Sequence, residues 1–347
     1  MKGSSRRATG AGALGLLLGA CLAHAAAPEE PRFISIGGGA VDSAAFRWSS
    51  ALAQILSRPP GLPKCDATSP CGIPGIIAGA QTYDKPEALL TAIAEGRVAT
   101  GILSATQIYE ARCAPPKGKA AADIRVLKAL YRRPVQLIVS AGSTIRTAKD
   151  LAGATIAIGD HGSDSDIVAA ALLDAYGPYK PKVKVERMPP DMIIQSIKAG
   201  TAKAAIFVGH AADLPIAELL AGGGFKLVAL PDTPERRRML RALPLFEPAT
   251  VTAGAPSPAS ITTVSERAFW IAGPALGSLP AEELVASESS QRNAARLAEL
   301  VDPVVPVADG EAFHHAPAPL ADGVQHFAVA AHLPMDVVDC PVQVGAK

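Results

Sequence analysis

Residues 32–39 read RFISIGGG and residues 155–163 read TIAIGDHGS, and the fold turns on how this pair is read. Each stretch sets a short apolar strand against a glycine-containing turn, and a run with helical spacing follows. Ile34-Ser35-Ile36-Gly37 precedes Ile156-Ala157-Ile158-Gly159 by 122 residues. In the first following run Trp48, Ala51, Leu52, Ile55 and Leu56 share one helix face; in the second Ile167, Val168, Ala171, Leu172 and Ala175 do. A second echo comes later in each copy. LLTAIAEGRVATGILS (89–104) aligns with IIQSIKAGTAKAAIFV (193–208), which brings Gly96 over Gly200 and Ile102 over Ile206. Each copy predicts a helix stopped by a left-handed glycine and then a buried strand. Short apolar strands alternating with helices imply parallel sheets covered on both faces. The expectation is therefore an α/β chain of two lobes built on one design.

The course of the chain suggests how the lobes are joined. RRPVQLIVSAGSTIRTAKDLAG (132–153) runs from a strand into the second copy, which puts the first crossing near residue 139. After FKLVALPD and the charged helix ERRRMLRAL comes the Pro- and Gly-rich EPATVTAGAPSPAS. The strand ITTVSERAFWIAG then returns the chain near residue 256. The reading is a signal peptide over 1–25, a first lobe of 26–138 and 256–347, and a second lobe of 139–255. Two crossings suggest a hinged pair.

Composition narrows the functional class. The 347 residues are 49% hydrophobic and 19% charged, enough for full-sized cores. The basic start, the apolar AGALGLLLGACLA and Ala23-His24-Ala25 have the form of a secretory leader with a small-x-small cleavage site. Leu18-Gly19-Ala20-Cys21 also resembles a lipoprotein box, with Cys21 as the lipidated residue. Removing the leader takes away three cationic residues and leaves 30 Lys and Arg against 32 Asp and Glu. That balance, with only 4% aromatic residues, speaks against a nucleic-acid partner. Either processing route leaves Cys65, Cys71, Cys113 and Cys340, which permit three pairings in an oxidising compartment. The turn-rich DATSP between Cys65 and Cys71 favours that local bridge, and Cys113 with Cys340 follows by elimination. Zinc is the rival reading of such a set, but no CxxC spacing is present.

Ligands of parallel α/β sheets lie beyond the carboxyl ends of the strands. The rule nominates Gly37 to Ser43, Leu103 to Thr106, Asp160 to Ser165 and Phe207 to Ala211. Glycines there let backbone amides approach a small anion, and two of the loops open helices whose dipoles suit one. A purely structural turn accounts for the glycines equally. The dinucleotide fingerprint fails at Asp42, which stands where a third glycine or alanine belongs, and no nucleotide or other cofactor is implied. Ser163 with Asp166 fits a capping box. Ser163, His210 and Asp160 admit a nucleophile, base and orienter arrangement, though no GxSxG elbow or HExxH is present, and no metal site is expected. His314-His315 reads as a solvated loop pair.

Taken together the motifs resemble those of the TAXI-type solute-binding receptors of tripartite ATP-independent periplasmic (TRAP) transporters. The carriers are FISIGGGAVDSAAFRWSSALAQIL, LLTAIAEGRVATGIL followed by Tyr109, DLAGATIAIGDHGSDSD, IKAGTAKAAIFVGHAAD and APAPLADGVQHF. The resemblance runs from about residue 32 to 232 and more weakly to 330. It implies a type II periplasmic-binding-protein fold that is not an enzyme. Such a receptor is periplasmic, closes on a small organic acid or amino acid, and delivers it to membrane permease subunits of a TRAP transporter. Matched loop positions are Gly37, Gly39 and Val41, then Gly162 and Ser163, then Gly209 and His210. The chain departs from the family pattern at Asp42, Ser43, Ala45, Phe46, Ser104 and Asp164. The expected ligand-binding set is thus Gly37, Gly38, Gly39, Val41, Asp42, Phe46, Ser104, Asp160, Gly162, Ser163, Asp164, Gly209 and His210. With Asp42 and Asp164 near the mouth, a ligand with a cationic or hydrogen-bond-donating part beside its carboxylate is favoured over a simple dicarboxylate. A periplasmic hydrolase and a ligand-sensing module on the same fold are the alternatives.

Overall fold

The structure is a computed structural model, and it describes residues 30–63, 65, 71–113, 123–177, 182–209, 214–252, 260–277 and 281–301. The leader, Cys21, His210, Cys340 and the segment from 302 onward lie outside the described residues.

The first half opens with β1 (Arg32–Gly38), α1 (Ala44–Leu56) and two short strands, β2 (Ser57–Arg58) and β3 (Ile73–Pro74). It continues with β4 (Ile76–Thr82), α2 (Pro86–Ala94), β5 (Thr100–Ser104), α3 (Ala105–Cys113) and the long β6 (Arg125–Ser140). The second half follows a 3-10 turn at Ala148–Leu151. It consists of β7 (Thr155–Ile158), α4 (Asp164–Ala175), β8 (Lys184–Arg187), α5 (Pro190–Ala199), β9 (Ala204–Val208), α6 (Leu214–Ala221), β10 (Phe225–Val228) and α7 (Pro234–Ala242). β11 (Glu247–Thr252) and β12 (Ser260–Ala272) lead back, and α8 (Ala281–Ser289) and α9 (Gln291–Val301) close the described chain.

The sequence echo is an echo of topology. In the first half β1 lies between β4 and β5, all parallel, with Ile36 opposite Thr100 and Gly37 opposite Gly101. In the second half β7 lies between β8 and β9, again parallel, with Ile156 opposite Ala204 and Ala157 opposite Ala205. Each trio is extended by an antiparallel strand shared with the rest of the chain. β12 lies on β5 through Thr100–Ser104, and β6 lies on β9 through Val135–Val139. Beyond them come β6 on β12 in the first half and β10 on β6 in the second. Both halves thus run second, first, third, shared antiparallel strand, fourth. This is the mixed α/β architecture of type II periplasmic-binding proteins, as expected from the sequence. β6 changes partner from β12 to β9 between Pro134 and Val135.

Both sheet halves are covered on two faces. α1, α8 and α9 pack Leu52, Ile55, Leu284 and Leu297 on one side of the first half, and Leu89, Ile93 and Ile108 of α2 and α3 cover the other. In the second half Val168 and Leu172 of α4 and Met239 of α7 cover one face, while Ile193 and Ile197 of α5 with Ile216 and Leu219 of α6 cover the other. Burying each such aliphatic side chain contributes about 1.5–3 kcal/mol. The two helix-stopping glycines behave as read from the sequence: Gly96 has φ 72° and Gly200 φ 73°.

The Cys65–Cys71 disulfide is formed. Cys113 is disulfide-bonded as well, its partner lying outside the described residues. The disulfide loop is held from the far end of the chain. Asn293 of α9, fully buried, accepts from the Cys71 amide at 2.8 Å and donates to the Cys71 and Ser287 carbonyls at 3.0 and 2.8 Å. Among the described residues no helix is long and apolar enough to cross a membrane.

Candidate functional site

The turns after β1 and β7 are built alike, and both end in a serine that caps a helix. Ser43 Oγ accepts from the Phe46 amide at 3.2 Å, and Ser163 Oγ accepts from the Asp166 amide at 3.3 Å. The first turn is glycine-rich because α1 comes very close to β1. A Cβ on Gly38 would stand 2.7 Å from Phe46 Cα and 2.8 Å from the Ala45 carbonyl oxygen. One on Gly37 would strike Leu89, and one on Gly39 would strike Ser43 Oγ. Packing alone therefore requires these glycines, and it also leaves the backbone of Gly38, Gly39 and Ala40 bare toward the space between the halves.

That space is a cleft of about 390 Å³. Gly38, Gly39, Ala40 and Ser43 form one wall, extended by Tyr83 and Asp84 after β4 and by Ser104 and Gln107 where β5 passes into α3. The crossing strands supply Tyr131 and Arg133 of β6 and Ala268 of β12, and the second half supplies Asp164 and Pro190. Tyr131 is steadied by stacking on Trp48, ring centroids 5.5 Å apart. Ser104 and Gln107 cap α3 reciprocally. The Ser104 amide donates to Gln107 Oε1 at 3.0 Å and the Gln107 amide to Ser104 Oγ at 3.2 Å.

Arg133 is the centre of charge. Its Nη1 meets Asp164 Oδ2 at 2.7 Å and also pairs with Glu266, and its Nη2 donates to the Val208 carbonyl at 3.1 Å. Glu266, fully buried on β12, sits opposite Arg133 in the sheet register. It also accepts from the amide and hydroxyl of Thr106 at the start of α3, at 3.1 and 2.8 Å. A run of polar contacts thus joins α3 of the first half, the two crossing strands and α4 of the second half. Burial weighs against the charge on Arg133, but Asp164 and Glu266 outweigh it and hold its pKa above the ordinary value. Burial pushes the Glu266 carboxyl up, with Asp164 adding to the effect and Arg133 and Thr106 opposing it. Glu110 on α3 is raised too, by burial first and then by the charges of Asp164 and Glu87.

Of the residues expected from the sequence, Gly38, Gly39, Ser104 and Asp164 line the cleft. Gly37 is buried behind it. Val41 and Asp42 are exposed, the Asp42 carbonyl accepting from Arg47 at 3.3 Å, and Phe46 is half-buried in the first turn of α1 and is not among the cleft-lining residues. Asp160 and Gly162 are exposed. Ser163 is occupied as a helix cap, and its Oγ also lies 3.2 Å from Ser165 Oγ. Gly209 donates to the Pro134 carbonyl and accepts from Gln136. His210 lies outside the described residues, so the full set of Ser163, His210 and Asp160 is not on view. Arg133, Glu266, Tyr83, Asp84 and Gln107 were not read from the sequence. Among the described residues no group of three or more His, Cys, Asp or Glu is placed to hold a metal ion.

The sequence profile of the NMT1-like family matches residues 73–287. That is well over half of the chain, and the chain belongs to this family. Among solved structures it is similar to the periplasmic aliphatic sulphonate binding protein SsuA from Escherichia coli. Identity there is 16% over 80% of this chain and 76% of that one, with a TM-score of 0.46. An ancestral arginine-binding protein bound to arginine is similar at 14% identity over 77% and 96%, TM-score 0.44. The ligand binding component of an ABC-type import system from Staphylococcus aureus, with zinc bound, is similar at 11% over 78% of both chains, TM-score 0.47.

Proposed function

We propose that the chain is an extracytoplasmic solute-binding protein of the TAXI kind, serving a TRAP transporter. The observation that carries this reading is the cleft at the meeting of the two halves. Its volume of about 390 Å³ falls within the range of about 300–1,000 Å³ usual for small-molecule sites. It joins bare glycine backbone, neutral polar side chains and one buried guanidinium, a set suited to holding an organic acid or amino acid. Two halves joined by crossing strands, taken as 26–138 with 256–347 and 139–255, would close about those strands and trap the solute. Closure is favoured to the extent that the ligand binds the closed form better than the open one. The membrane permease then reads the closed form. The reading places the protein in the periplasm behind a cleaved leader, and it involves no catalysis.

The test is a thermal-shift screen of the purified chain against amino acids, keto acids and dicarboxylates, with calorimetry on the hits. A ligand at 100 times its dissociation constant stabilises the fold by about 2.7 kcal/mol, a rise of about 5 °C or more in melting temperature. A hit recovered chemically unchanged supports the receptor; a hit converted to product, or none in any class, overturns it.

A further inference from the structure

We propose that the Arg133–Asp164 ion pair is the ligand site closed on itself. On this view the chain takes a zwitterion whose carboxylate replaces Asp164 on Arg133 while its ammonium pairs with the freed Asp164. The proposal rests on the reading of the cleft as a solute site and names the charge pattern of the solute.

The two carboxylates on Arg133 are held very differently. Glu266 is fully buried and fixed by two further bonds from Thr106. It is the permanent counter-ion. Among the described residues the Asp164 carboxylate pairs with Arg133 alone, and it comes from the first turn of α4, on the opposite half from α3 and the glycine turn. Asp164 is therefore the exchangeable partner. Both Arg133 and Asp164 line the cleft, with side chains 17% and 14% exposed, so an entering solute reaches the pair from the cleft.

Charge then decides which solute can open it. A carboxylate without an amine would take Arg133 and strand Asp164 beside Glu110 and Glu266, two carboxyls that its charge already helps to push up. An amine without a carboxylate would approach Asp164 against the guanidinium already bound to it. A zwitterion inserted between the two replaces one internal ion pair by two and leaves no buried charge alone. Asp164 is thus a built-in competitor for simple acids and a partner for amino acids.

The test is calorimetry on the full chain with three matched probes: α-amino acids, their deaminated carboxylates and their decarboxylated amines. The expected result is that at least one amino acid binds about tenfold or more tightly than either of its analogues. Asp164→Asn should erase that preference, weakening the amino acid and strengthening the carboxylate. Arg133→Gln combined with Glu266→Gln, which removes the guanidinium together with its fully buried counter-ion, should abolish binding of both, with melting curves reporting the fold. Equal binding of an amino acid and its deaminated form, or a preference unchanged in a folded Asp164→Asn chain, overturns this inference while leaving the receptor reading in place. Failure of every probe on the unaltered chain overturns both.

Discussion

The Asp166 carboxylate accepts from the Gly162 amide at 3.0 Å and from Arg187 Nε and Nη2 at 3.0 and 2.7 Å. Burial works against its charge, but Arg187 and the Gly162 amide prevail, and its pKa lies below the ordinary 3.8. A depressed carboxyl stabilises the fold above its unfolded pKa and loses that contribution as pH falls through the folded value. Asp166→Asn should therefore destabilise the chain near neutrality, with the gap to the unaltered protein narrowing below about pH 3.8. Denaturant melts from pH 7 to pH 2.5 check this; a gap independent of pH would reject it. Ser163 was legible as a cap, although Asp166 reaches back to the Gly162 amide rather than to that of Ser163. The reciprocal cap at Ser104 was equally available in the tetrad SATQ, which has the serine-to-glutamine spacing of a capping box. Arg133 and Glu266 left a fainter signal, charges inside apolar strands that demand burial with a partner. Only the register of β6 on β12 shows that they are each other's partner.

At the scale of elements, the close approach of α1 to β1 sets the shape of the cleft wall. Gly38→Ala would drive a Cβ to within 2.6 Å of Ser49 Oγ and 2.7 Å of Phe46 Cα. The cost should be about 1–3 kcal/mol, together with a displaced α1 and weaker solute binding. Gly79 in β4 meets nothing within 4 Å, so Gly79→Ala should change stability by less than about 0.5 kcal/mol. Chemical denaturation of the two variants separates a packing effect from a general sensitivity to glycine loss. The strand–turn–helix echo was readable because strand and helix periods differ and the stopping glycines recur in register. β11 was not, since EPATVT sits in a passage rich in proline and glycine. Its Pro248 is tolerated in a strand that, among the described residues, has β12 alone beside it. The stretch AEELVASESSQRNAARLAELV over 281–301 forms two helices divided at Ser290.

Over the whole molecule, distant parts of the chain meet at a few well-defined points. Asn293 holds the Cys71 backbone from 222 residues away. Asn293→Ala leaves the Cys71 amide and carbonyl without this partner and should cost about 1–3 kcal/mol. Limited proteolysis should then cut faster around the disulfide loop, and an unchanged cutting rate would show the contact to be dispensable. The two crossing strands were read from the sequence but not their sharing between the halves, because pairing across the middle of the chain depends on three-dimensional register rather than on local pattern. That sharing imposes an order of events on a chain made from its amino end. The strands of the second half, from Val135 to Val228, are consecutive in the chain and can be completed early. β5 ends at Ser104, yet its neighbour β12 does not begin until Ser260. Until then the half that is synthesised first keeps an unsatisfied edge, and its sheet is the last to be finished.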